Sequence, residues 1–489
     1  MTIEDSRFSA GFQTISYELE TGNWELETEN WETKNMKTIR IGGALGYWGD
    51  RSDAILDLLN GGPLDYVIMD YLAEVTMSIL QKEYVRNPVL GYPHDFVPLM
   101  KQALPLLHKR RVRLITDAGG LNPLGLAEVL SSTAREVGWP DLKIGVVYGD
   151  DLMPRLQEFA GKGIEFRNFD TGAPQSDIPG KITSANAYFG AFPIAEALAL
   201  GADIVLTGRV NDAALALGPS IYEFGWKPDQ YDLLAKGTIA GHLLECGGQA
   251  SGGNYNGGWR EVPNLNRLGF PIGEVSKDGS LVLTIHPGQG GLETPAVLKE
   301  QLLYEIGDPS AYIVADVICD ISELEMEDLG NNRVRVLGTK GHPPTSSYKV
   351  SMSYEGGYQI AVGLIYTWPD CVEKAKASSE IVLKRLAKLG IQYRDVLVSI
   401  LGCDAVHGPM SHAIEDPNEV YLRMAFVVDD ASTADRISRE MITHVLCGIP
   451  TGCLFDAIRP SPHKQLIYWP SVIPKSAVEP RVKIIGGAA

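Results

Sequence analysis

The residues that could do chemistry in this chain cluster at the ends of short Val/Ile-rich runs. Reading those ends in order yields Gly42 and Gly43, Asp70 with Glu74 a turn later, Asp117, the pair Asp150 and Asp151, and Thr207 to Asp212 with Arg209 and Asn211 between. Ligands of parallel α/β sheets collect at such strand ends. In TGRVND, Arg209 has the fork geometry to hold a carboxylate or carbonyl, and Asp212 can act as a base or orient it. In DAGGLNP, Asn122 is placed to cap a helix that starts with Pro123. The amides around Gly119 and Gly120, next to Asp117, could then meet an enolate-like oxygen. In GHLLECGGQASGGN, Glu245 ends a helix beside a glycine loop that admits a substrate, which suits an acid/base. His286 in HPGQGG is a third acid/base candidate. The catalytic set expected is therefore Glu245, His286 and Asp212. The binding set is Arg209, Asp117, Asn122, Gly119, Gly120, Asn254, Tyr47, Trp48, Tyr255 and Trp259.

Several chemistries lack their signature. Gly42, Gly43, Gly46 and Gly49 do not fit the dinucleotide spacing, there is no P-loop, and Ser251 in GGQASGG is wrongly spaced for a nucleophile elbow. His242 and Glu245 share a helix face, but two donors do not make a metal site. No metal and no cofactor are expected. The cysteines form no C-x-x-C pair.

The elements that must position these residues alternate. KTIRIGG, DYVIMD, RVRLITD, LKIGVVY and ADIVLTG read as strands, each followed by a helical stretch. This predicts an α/β body, residues 37–309, with a parallel, doubly wound sheet and helices on both faces. After about 310 the strands come grouped and then alternate with two long helices. That predicts a smaller α+β layer over 310–489 with a split β-α-β, ferredoxin-like core. Residues 1–36 carry eight acidic residues against Arg7 and Lys34 and repeat ETGNWEL as ETENWET, which reads as an unfolded acidic extension.

Composition sets the outer bounds. The chain has 489 residues, 45% hydrophobic and 21% charged, enough for a large buried core. Lys and Arg number 43 against 61 Asp and Glu, a net charge of −18 that opposes nucleic acid and anionic lipid as partners. The longest apolar stretch, AFPIAEALALGADIVL, is interrupted by Glu196 and Asp203, so no membrane span is expected. With no basic and apolar leader at the start, a cytoplasmic setting is expected. Acidic α/β enzymes of this size often self-associate, so a homo-oligomer is expected as well.

Taken in order, IRIGGALGYWGD, DAGGLNPLG, TGRVNDAALALGP, GHLLECGGQASGGNY, RLGFPIGEV, HPGQGG and QLLYEIGDP resemble the acyclic terpene utilisation family. The likeness runs from about residue 38 to WPSVIP at 469–474. It departs from the family pattern at Ile285 (usually Lys), Gln289 (usually Thr) and Asp117 (usually Asn). The resemblance implies an unsaturated terpenoid or branched carboxylic or acyl substrate. The expected activity is cofactor-independent and non-redox: hydration, isomerisation, lyase or cyclisation chemistry. Tyr47, Trp48, Tyr188, Tyr255 and Trp259 would suit a large apolar ligand. One alternative is a pathway-specific terpenoid cyclase of the pericyclase type, working mainly by folding its substrate. Another is a non-catalytic subunit of an acyl-processing complex.

Overall fold

The computed structural model describes residues 36–412, 417–454 and 460–487, so the acidic segment 1–35 lies outside the described residues. The first half alternates strand and helix: β1 (Thr38–Gly43), α1 (Ala54–Gly61), β2 (Tyr66–Met69), α2 (Thr76–Arg86), α3 (Phe96–Arg110), β3 (Arg113–Thr116), α4 (Pro123–Glu136) and β4 (Lys143–Tyr148). It continues through α5 (Leu156–Gly161), β5 (Ile182–Ala187), α6 (Phe192–Ala199), β6 (Ile204–Thr207), α7 (Ala214–Phe224) and α8 (Tyr231–Glu245). Beyond lie β7 (Ile272–Ser276), β8 (Leu281–Thr284), α9 (Pro295–Leu303) and five short strands, β9 (Tyr312–Ile313), β10 (Ile318–Asp320), β11 (Glu325–Asp328), β12 (Arg333–Leu337) and β13 (Lys340–His342). The rest is β14 (Ser347–Thr367), α10 (Cys371–Lys388), β15 (Asp395–Leu401), β16 (Glu419–Val428), α11 (Ala431–Ile442), the one-turn α12 (His444–Cys447), β17 (His463–Pro474) and β18 (Arg481–Gly486).

Ten strands form one sheet in the order β11-β12-β8-β7-β1-β2-β3-β6-β4-β18. The centre, β1-β2-β3-β6-β4, is parallel, as the alternation predicts. The sheet as a whole is mixed rather than parallel, because β7, β8, β12 and β11 extend one edge antiparallel and β18 closes the other. β7–β8 and β11–β12 are hairpins joined by short turns, which need no crossover helix and so add antiparallel strands. Successive residues of the central strands face opposite sides. Val67, Met69, Leu114 and Leu206 pack with α1, α3 and α4, whereas Tyr66, Ile68, Ile115 and Val205 pack with α6, α7 and α8.

That two-sided covering sets the place of the site. After β3 the chain leaves to α4 on one face; after β6, its neighbour, it leaves to α7 on the other. Two adjacent parallel strands whose connections diverge leave a crevice at their C-terminal ends.

A second sheet runs β15-β16-β14-β17, with β5 also paired to β14. All its strand pairs are antiparallel, and α10 and α11 pack against it through Ala375, Val382, Leu386, Ala434, Ile437 and Met441. The 21-residue β14 pairs with β5 over 350–354 and with β16 over 358–367. Its register shifts between Glu355 and Tyr358, where Gly357 has φ +93°, a conformation that favours glycine. Residues 38–489 form one compact unit. The chain crosses position 309/310 repeatedly: β11, β12 and β18 belong to the large sheet, and β5 belongs to the second.

Candidate active site

The crevice between β3 and β6 is filled by Arg209, which is 1% exposed and is the largest fully buried side chain among the described residues. Its guanidinium donates to the Leu72 carbonyl and to Asp212 Oδ1 at 2.6 Å, and lies 3.6 Å from Asp117 Oδ2. Its backbone N–H donates to Asp150 at 2.9 Å. The ring of Tyr188 stacks 4.2 Å from the guanidinium carbon. Arg209 is thus the counter-ion of an internal carboxyl cluster rather than an open clamp, because three carboxyl groups already compete for it.

Those carboxyls are not balanced by one cation. Ligand atoms of Asp70, Asp117 and Asp212 lie within 4.8 Å of one another. Burial, with the charges of Asp212 and Asp117 added, holds Asp70 well above the usual carboxylate range. Burial pushes Asp117 up to about 6, opposed by Arg209. Burial also raises Asp212, with Arg209 opposing. Asp117 Oδ1 and Asp70 Oδ1 are taken by the N–H groups of Tyr71, 2.7 Å, and Leu72, 3.0 Å. Asp117 Oδ2 is buried with no hydrogen-bond partner, and the Arg209 guanidinium is 3.6 Å away. Burial thus favours the protonated form of Asp70, placed to donate to Asp117. Asp150 accepts from Arg209 and from Asn186 Nδ2, 2.9 Å each, and burial still pushes it up to about 7.

α8 brings a second group of donors. Gly241 lets it lie against the loop after β6, since a Cβ there would stand 2.3 Å from the Ala213 carbonyl oxygen. Its last turn presents Glu245, whose Oε1 is 2.8 Å from His242 Nδ1, while His242 Nε2 lies 3.0 Å from the Leu302 carbonyl. Burial holds Glu245 up at about 7, and the nearby Asp212 adds to the effect. Arg209, Asp212, Asp117 and Glu245 are thus brought to one place by β3, β6 and α8.

Two cavities lie near these groups. One, of about 610 Å³, is lined by Tyr188, Asn211, Ile313, Lys349, Tyr468 and Ser471, among others, and its walls are mostly apolar. Asn211 and Ile313 adjoin Asp212 and Tyr312, so this cavity opens beside the cluster. Tyr188 Oη and Ser471 Oγ are buried with no hydrogen-bond partner, and Lys349 Nζ lies 4.7 Å over the Tyr188 ring. The other, of about 700 Å³, is lined by Asn254, Tyr255 and Trp259 with Glu300 and Tyr304. Tyr304 stacks on His242 with centroids 6.3 Å apart.

The remaining residues singled out from sequence lie elsewhere. His286 packs on Gly61 and Gly62 and pairs with the Leu58 carbonyl at 3.0 Å, with none of the cluster carboxyls beside it. Asn122 does cap α4, accepting from Gly125 at 3.0 Å while its amide donates to Pro88, Val89 and Leu90. The glycine turn serves packing. A Cβ on Gly119 would stand 2.3 Å from the Thr207 carbonyl oxygen, and the amides of Gly120, Leu121 and Asn122 are donated to carbonyls. Trp48 donates to Asp95 at 2.8 Å, and Tyr47 is 55% exposed. Neither lines either cavity.

Asp70, His242, Lys349, Tyr468, Ser471 and Glu305 join the site without having been assigned a role from sequence. Asp70 had a signal, a carboxylate ending a strand. Lys349, Tyr468 and Ser471 had none, because they come from β14 and β17, far along the chain.

The fold and site define an α/β protein with a buried acid cluster at the C-terminal ends of its parallel strands. The family model described as acyclic terpene utilisation family protein AtuA matches residues 39–484, and the chain belongs to that family. No curated protein and no solved structure matches the chain. Among the described residues no helix is long and apolar enough to cross a membrane.

Proposed function

We propose that this protein is a cytoplasmic, homo-oligomeric enzyme of acyclic terpenoid metabolism. It acts on an unsaturated terpenoid or branched carboxylic or acyl substrate by non-redox proton chemistry: hydration, isomerisation, lyase or cyclisation. The observation that carries this reading is the surplus of buried carboxyls around Arg209 beside a mostly apolar cavity, where burial favours the protonated form of Asp70. A carboxylic acid kept neutral in this way can donate to a developing carbanion or alkene and recover the proton elsewhere.

In this reading the apolar chain lies along Phe169, Ile313, Val314 and Val472, and its oxygenated end meets Tyr188, Lys349 and Ser471. Asp212, the least buried carboxyl of the three, exchanges the proton with the substrate, and the Asp70–Asp117 pair resupplies it. The same reading takes the five parallel strands as a doubly wound core and the β-α-β-β-α-β order of 347–474 as a ferredoxin-like layer.

The test is solvent exchange. Unsaturated branched acids and their thioesters incubated with the enzyme in D₂O should acquire carbon-bound deuterium, and Asp212→Asn should abolish it. No exchange and no product from any of them would sink the assignment.

The apolar lining of the 610 Å³ cavity also suits a cyclase that works by folding its substrate. In that case Asp212→Asn would leave the cyclisation rate intact, whereas enlarging the cavity at Tyr468 would lower it.

A further inference from the structure

The end of α8 and the segment that closes over it carry donors that the carboxyl cluster around Arg209 does not need. His242 and Glu245 are three residues apart on one helical face. The imidazole is fully buried, and its Nε2 faces the Leu302 carbonyl at 3.0 Å. A carbonyl only accepts, so Nε2 carries the hydrogen. That leaves Nδ1 in the neutral ring with its lone pair aimed at Glu245 Oε1, 2.8 Å away. In the neutral ring that contact is satisfied by a proton on Glu245 or by a cation that both groups ligate from the side. The second carboxylate oxygen, Oε2, has no hydrogen-bond partner although Glu245 is 3% exposed. A third donor stands ready, because ligand atoms of His242, Glu245 and Glu305 lie within 4.8 Å of one another. Leu302 and Glu305 belong to one short segment, which thus supplies both a carboxylate and the carbonyl that orients the ring.

We propose that His242 Nδ1, Glu245 and Glu305 bind a divalent first-row cation of the Mn²⁺ type. One imidazole with two carboxylates is a donor set for such ions. The nearby thiol, Cys246, is held by Tyr304 Oη at 2.6 Å and stands outside the set. Three protein ligands leave positions for water or a substrate oxygen. The other carboxyl group, Asp70, Asp117 and Asp212, is spaced as closely, but Arg209 already supplies its positive charge at 2.6 and 3.6 Å. The proposed ligands are distinct from Asp70, Asp117 and Asp212, to which the acid–base reading assigns the proton, although Glu245 stands close enough to Asp212 to feel its charge.

The full chain, stripped by a chelator and desalted, should take up one Mn²⁺ when titrated and followed by the electron paramagnetic resonance of the free ion. Glu305 is exposed, so Glu305→Gln should fold, and it should weaken binding by about tenfold or more. Mn²⁺ should raise the melting temperature of the parent and not of Glu305→Gln. No saturable uptake below about 1 mM, or equal affinity in Glu305→Gln, would overturn the proposal. So would loss of binding in Asp212→Asn with Glu305→Gln unaffected, which would move the ion to the Arg209 cluster.

Discussion

Burial first, and then the charges of Asp212 and Asp117, push Asp70 well above the usual carboxylate range, so its protonated form is favoured. An asparagine there can still accept from Leu72 and donate to Asp117, but it cannot give up a proton. Asp70→Asn should therefore lower kcat by about 10²–10⁴-fold while the melting temperature does not fall. Lost stability together with lost activity would make Asp70 structural. Asp150 makes a different prediction, about folding. Burial raises its pKa to about 7, above the usual carboxylate range, so the folded state binds its proton more tightly than the unfolded chain. Its contribution is fully present below the unfolded pKa and is lost as pH rises through the folded value. Between those limits the slope is on the order of 1 kcal/mol per pH unit. Urea unfolding from pH 5 to 8 should show stability declining with pH, and Asp150→Asn should flatten that decline.

At the scale of elements, α8 decides how close Glu245 stands to Asp212, and Gly241 decides how close α8 stands to the loop after β6. Alanine at 241 would gain up to about 1 kcal/mol in helix propensity. It would also drive a methyl into backbone, 2.3 Å from the Ala213 carbonyl oxygen and 2.7 Å from its Cα. Backbone cannot swing aside as a side-chain tip can, so overpacking wins. Gly241→Ala should cost about 1–3 kcal/mol in chemical denaturation and lower turnover as well. Unchanged stability and turnover would show that α8 can slide without consequence. The elements that hold the site were largely legible. β1 to β4, β6 and their helices follow from apolar runs alternating with amphipathic stretches, and the Asn122–Pro123 cap follows from residue chemistry alone. The antiparallel edges were not legible, since a short apolar run looks the same whichever way its neighbour points.

At the scale of the whole molecule, the strands of the two sheets interleave along the chain. A fragment ending at 309 would strip β11, β12 and β18 from the large sheet and leave β5 without β14. It should show no cooperative thermal transition by circular dichroism, whereas residues 36–489 should melt like the full chain. A sharp transition in the shorter fragment would show that the first half folds alone. The sequence by itself determined the family, the parallel core and the strand ends where acids gather, because these depend on local pattern and on motif order. It could pick out Asp117, Arg209, Asp212 and Glu245 as chemistry-bearing, since each ends an element. Only the tertiary structure decided that Arg209 is surrounded by carboxyls, that His286 stands apart, and that Lys349, Tyr468 and Ser471 wall the cavity. The reason is physical: a pKa and a cavity depend on what is buried beside a group, and those neighbours come from strands up to hundreds of residues away.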